Sequence, residues 1–170
     1  SSPIKSSFIK NDISQIFLKN SKVKLNYGPE KKNIELLGKY SFTESEDNLN
    51  FEIKTNFLKN SFVLDSNLEF NQEVNFELIN YQNSKDSLSK LSVNLRKNDN
   101  DLYFNEIKLI DDDNLILIND LKIEKNLIAS FKKVKIKTKK NGKINNDFNI
   151  NLKNKIFISG KNFDATNLNK

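Results

Sequence analysis

The side chains best equipped for chemistry in this sequence are carboxylates. Asp111, Asp112 and Asp113 stand together ahead of Asn114, and Asn98 to Asp101 alternates amide and acid. Grouped oxygens attract a hard cation, but a calcium loop also wants alternating ligands, a glycine and a later Glu. DDDN followed by LILI supplies neither the glycine nor the Glu. Both clusters read as solvated turns between strands. Glu44 and Glu46 could in principle serve as acid and base, yet nothing around them marks them as more than turn residues. The chain has no His and no Cys. That excludes Ser-His-Asp and Cys-His nucleophiles and any His or Cys metal site. The expectation is a protein that is not an enzyme and carries no cofactor or metal.

Phe says more. It occurs thirteen times, and Phe51, Phe57, Phe62, Phe70 and Phe76 fall on the apolar faces of consecutive strands. Ile53, Leu64, Leu68 and Leu78 lie between them, and Val134, Ile136, Phe148 and Ile150 continue the pattern near the C-terminal end. Collected on one side of a curved sheet, these residues would form a floor that attracts something apolar, and phospholipid acyl chains are the obvious candidate. The alternative is an ordinary core, with the face closed on itself in a sandwich. Against that, the wet faces are polar along their whole length, and no second set of elements is visible that would cover the floor.

The elements that must position this floor are strands. From Lys133 to Lys139, lysines alternate strictly with Val134, Ile136 and Thr138, the period of a strand with one wet and one dry face. Asn141-Gly142 follows, the strongest short-range hairpin signal, because a type I′ turn needs positive φ at both central residues. The return strand sets Ile144, Asn146, Phe148, Ile150 and Leu152 on one face and Asn145, Asp147, Asn149 and Asn151 on the other.

Earlier segments repeat the design. Ser21 to Tyr27 alternates and is broken by Gly28-Pro29. Ile34, Leu36, Gly38, Tyr40 and Phe42 form the next apolar face. Beyond the polar turn Glu44 to Asn48, Leu49 to Phe57 alternates throughout. Lys59-Asn60 turns the chain into Phe62 to Phe70, and Val74, Phe76 and Leu78 follow. Ile79 and Tyr81 lie off that register, which predicts a bulge. Leu91, Val93 and Leu95 give a short strand, Leu115 to Ile118 predicts cover on both faces, and Lys155 to Gly160 is a last strand. Roughly a dozen strands on short turns fit a neighbour-to-neighbour antiparallel meander.

Composition sets bounds on this picture. A chain of 170 residues suffices for one domain, but only 36% of it is hydrophobic, so the core is thin or the sheet is open with one wet face. The net charge of +6 is spread along the chain. Its one dense basic cluster, Phe131 to Lys143, sets lysines opposite the apolar face and not among aromatics, so nucleic acid is not expected as a partner. Met is absent even at position 1, which suggests an internal, processed or trimmed piece of a longer protein.

Three segments carry a family resemblance: FNEIKLIDDDNLILINDLKI (Phe104 to Ile123), NLIASFKKVKIKTKKNG (Asn126 to Gly142) and above all ISGKNFDATNL (Ile158 to Leu168). Together they resemble the repeat-β part of AsmA-like envelope proteins, the YhdP and TamB group, in its α-proteobacterial form. A strand ending in Gly, a short link and Phe-Asp-Ala closes one region there before a C-terminal AsmA-like domain.

The resemblance implies an all-β fold, a long antiparallel meander forming an open, curved, U-shaped β-groove. Residues 1–170 would be a single repeating groove segment, with 1–12 a frayed lead-in and 161–170 a link toward a missing AsmA-like domain. It implies a periplasmic location within an inner-membrane-anchored protein. It also implies phospholipid transport between inner and outer membranes, with both membranes reached through regions outside this chain. A structural or adhesive sandwich or solenoid of the envelope is the rival reading, and an outer-membrane barrel the third.

Overall fold

The computed structural model describes residues 16–29, 32–42, 49–83, 87–99 and 101–167. The expected lead-in and the Glu44 to Asn48 turn, with Glu44 and Glu46, lie outside them. The chain begins with β1 (Phe17–Tyr27), β2 (Lys32–Ser41), β3 (Leu49–Leu58) and β4 (Ser61–Phe70). Two short strands, β5 (Asn75–Phe76) and β6 (Tyr81–Gln82), flank a 3-10 turn at Glu77–Ile79. The strands β7 (Ser89–Asn98), β8 (Asp101–Asp111), β9 (Asn114–Glu124) and β10 (Leu127–Ser130) follow. The last three are β11 (Lys133–Lys140), β12 (Lys143–Leu152) and β13 (Ile156–Asn162).

Eleven strands make one antiparallel sheet, ordered β1-β2-β3-β4-β7-β8-β9-β11-β12-β13, with β10 also on β9. The all-β antiparallel meander expected from the alternation is what forms. Its best-marked turn has the expected geometry, with φ of 52° at Asn141 and 75° at Gly142, the positive pair of a type I′ turn.

The registers convert each strand's alternation into rows that cross the whole sheet. Val23 stands opposite Leu36, Leu36 opposite Ile53, Ile53 opposite Ser66, and Ser66 opposite Val93. The row runs on through Ile107, Ile118, Val134, Ile150 and Ile158. Directly opposed residues in an antiparallel pair share a face, so this is one apolar stripe interrupted only at Ser66. A parallel row runs from Gly38 through Phe51, Leu68, Leu91, Leu109, Ile116, Ile136 and Phe148 to Gly160.

Two expectations are corrected. The sheet is open but not strongly curved, so the U-shaped groove is not built. A tight bend needs bulges or glycine kinks repeated at one level of successive strands, whereas β2, β3, β4 and β7 pair without a register shift. An open path with β1 and β13 at its ends also differs from a closed barrel. Second, the segment after β4 does not continue as a sheet strand with a bulge. It leaves the sheet, turns through Asn80 at φ 48°, and folds back over the apolar face. Ile79 and Tyr81 pack there against Leu109, Ile136 and Phe148, with Phe70, Phe76, Ile116, Val134 and Ile150 around them. This overhang is the cover that the sequence did not reveal.

Candidate functional site

The overhang is fastened at one end of the sheet by a buried polar row. Ser89, Asp111, Thr138 and Asn146 all occupy dry-face positions and are almost wholly buried. Ser89 is paired with Asp111, Asp111 with Asn114, and Thr138 with Asn146. Each finds a partner. The Tyr81 hydroxyl donates to Asp111 Oδ2 at 3.0 Å, Ser87 Oγ donates to Asp111 Oδ1 at 2.7 Å, and Asn114 Nδ2 donates to Oδ2 at 3.2 Å. Asn146 Nδ2 donates to the Ile79 carbonyl at 2.7 Å. Asn83 closes the overhang on itself, accepting from the Val74 N–H and donating to the Gln72 carbonyl.

Burial, and then the adjacent Asp111 charge, hold the Tyr81 phenol far above its ordinary value. It therefore stays a donor. Asp111 is thus a buried acceptor and not part of a solvated turn, while Asp112 and Asp113 are exposed as expected. Among the described residues no group of three or more Asp or Glu is arranged to hold a metal ion.

Fastened there, the overhang leans across the middle of the apolar face and leaves a cleft of about 610 Å³ beneath it. The floor comes from Leu68 and Phe70 of β4, Leu91 of β7, Ile107 and Leu109 of β8, Ile116 and Ile118 of β9, and Val134 and Ile136 of β11. The overhang supplies Gln72, Val74, Phe76, Leu78 and Ile79, and Tyr40 and Phe42 close one side. Gln72 and the Tyr40 hydroxyl are the only polar side-chain groups in that lining. The size lies within the range of small-molecule sites, which are concave and mostly apolar.

Of the expected floor residues, the cleft brings together Leu68, Phe70, Phe76, Leu78, Val134 and Ile136. Phe76 and Leu78 reach it from the overhang, and Leu78 remains 67% exposed. Phe148 and Ile150 extend the same rows beyond its edge, with Phe148 buried under Tyr81 and Ile79. Phe51, Ile53 and Leu64 share the face but lie outside the lining. Phe57 and Phe62 pair with each other farther along, their ring centroids 5.0 Å apart. In β11 the apolar residues point inward as expected. Lys137 is exposed, but Lys133, Lys135 and Lys139 are half-buried.

Tyr40, Phe42, Leu91, Ile107, Leu109, Ile116 and Ile118 were legible as apolar strand positions but not as parts of a site. The signal for them was cross-strand register. Comparison with protein-family models, curated proteins and solved structures finds no match to this chain.

Proposed function

We propose that this chain holds phospholipid acyl chains against the apolar face of its sheet, in the cleft under the overhang, as a lipid-carrying segment of an AsmA-like envelope bridge. The observation that carries the proposal is the cleft itself, walled almost entirely by apolar side chains from six sheet strands and the overhang. Each methylene moved from water into such a site contributes about 0.8 kcal/mol, so a single acyl chain supplies ample holding energy. The apolar row continues past the cleft on both sides, through Ile53 toward β1 and through Ile150 toward β13. A chain leaving the cleft therefore meets more apolar surface and has only a low barrier to sliding.

A face closed on itself as a sandwich core is disfavoured by its margins. Val23 and Ile158, the two ends of the central row, are each 69% exposed. Lipid then passes along the face passively, and the periplasm and the two membranes are its setting in this reading.

The test is charge insertion at two lining positions, Leu68→Lys and Ile118→Lys. Both side chains are half-buried and border the open cleft, so the added ammonium can extend into it. Loss of phospholipid binding with a thermal transition shifted by only a few degrees is expected. Unfolding of both variants would instead mark the face as a closed core, and unchanged binding by folded variants would remove the proposal.

A further inference from the structure

On the other side of the overhang lies a second hollow, of about 840 Å³, lined mostly by polar and charged residues. The overhang contributes Glu77, Asn80 and Asn83, and the end of the β11–β12 hairpin faces them with Lys139, Lys140 and Asn141. Leu78 borders both this hollow and the apolar cleft, so the two meet across one exposed aliphatic side chain.

The two ammonium groups in the hollow are in different states. Lys139 is paired with Asp113. Lys140 Nζ donates to Asn80 Oδ1 at 2.8 Å and meets no carboxylate among the described residues. Asn80 in turn donates its Nδ2 to Asp164 Oδ2 at 2.8 Å, which fixes the amide with its oxygen toward the lysine. Hydrogen bonds from the Thr166 hydroxyl, Asn80, the Thr166 N–H and Asn145 keep the Asp164 carboxyl well below the usual carboxylate range, so this anchor stays charged. Lys140 is thus a positioned cation with two further N–H donors unused.

We infer that the hollow receives the phosphate of a phospholipid whose acyl chain occupies the cleft, with Lys140 as the group that recognises it. The inference rests on the acyl-chain reading above. A lipid phosphate is an anion whose charged oxygens accept hydrogen bonds. An ammonium with two free N–H donors meets both its charge and its oxygens. Glu77 lies on the opposite wall, so the phosphate sits toward Lys140 and away from it. The meeting of the two hollows at Leu78 lets one molecule keep its chain dry and its headgroup wet.

The experiment compares dioleoyl phosphatidate with dioleoylglycerol, which has the same chains and no phosphate, as competitors for bound cis-parinaric acid. The wild-type protein is expected to prefer phosphatidate by about tenfold, the scale of one charge-assisted contact. Lys140→Gln, a substitution of an exposed side chain, should abolish the preference and leave dioleoylglycerol affinity unchanged. Lys97→Gln, an exposed lysine outside the hollow, should preserve it. Equal affinity of the wild type for both lipids, or a preference that survives in Lys140→Gln, would overturn the phosphate site while leaving the cleft reading intact. Failure of both lipids to displace the fatty acid would overturn the two together.

Discussion

Tyr81, from the overhang, and Asp111, at the end of β8, meet through a 3.0 Å hydrogen bond in which both side chains are buried, at 2% and 1% exposure. The pair joins the overhang to the sheet beneath it. Tyr81→Phe keeps the ring stacked on Phe76, 6.0 Å away, and removes only the hydroxyl. The cost should be about 1–3 kcal/mol, read as a lower urea midpoint, because a buried acceptor loses a donor. The same bond sets an alkaline limit. The phenol's pKa is raised in the folded state, so its stabilisation is complete below about pH 10, the unfolded value. Above that it falls as the unfolded chain ionises first. Unfolding followed through that range should show a shallower alkaline decline in Tyr81→Phe than in the wild type.

Burial differs sharply among phenylalanines that look alike in sequence. Phe148 is 3% exposed and Phe57 is 39% exposed. Phe148→Ala should cost about 3–5 kcal/mol through the cavity it leaves. Phe57→Ala loses mainly its partnership with Phe62 and should cost about 1 kcal/mol. Parallel urea titrations check the ranking, and equal effects would place the packed core elsewhere.

Gly160 ends one apolar row where β13 shifts register against β12 between Asp147 and Phe148. A Cβ built there would lie 2.3 Å from the Asp147 carbonyl oxygen and 2.5 Å from the Phe148 Cα. Both are backbone atoms, so no side-chain rotation relieves the clash. Gly160→Ala should therefore loosen β13, an edge strand, and leave the centre of the sheet in place. Amide exchange read by mass spectrometry should speed up over residues 156–162 with little change in β7 to β9.

The legible part of this molecule was whatever depends on a period of two. Alternation gave the strands, and Asn141-Gly142 gave the best-marked hairpin. Val134, Ile136, Phe148 and Ile150 share the dry face that their alternation implies. Alternation states which face is dry and leaves the bend of the sheet undetermined, and the U-shape followed from a resemblance instead.

The overhang was hidden for a different reason. Ser89, Asp111, Thr138 and Asn146 each look like an ordinary strand-end or turn residue in isolation. Only the registers assemble them into a row of buried hydrogen-bonding groups, and such a row demands a polar partner from above. Ile79 and Tyr81, out of step with the strand before them, were the one trace of that partner in the sequence. They read as a bulge because a two-residue strand carries no period.

The most direct test of lipid occupancy is to map where an acyl chain lies. The protein is equilibrated with phosphatidylcholine carrying a diazirine midway along one chain, irradiated, digested and sequenced by mass spectrometry. Adducts are expected on Leu68, Leu91, Ile107, Ile116 and Ile118 and on the overhang at Phe76 or Leu78, and they should vanish in Ile118→Lys. Adducts spread over the opposite, Asn- and Lys-rich face, or their absence from a folded protein, would contradict the assignment of this cleft to lipid.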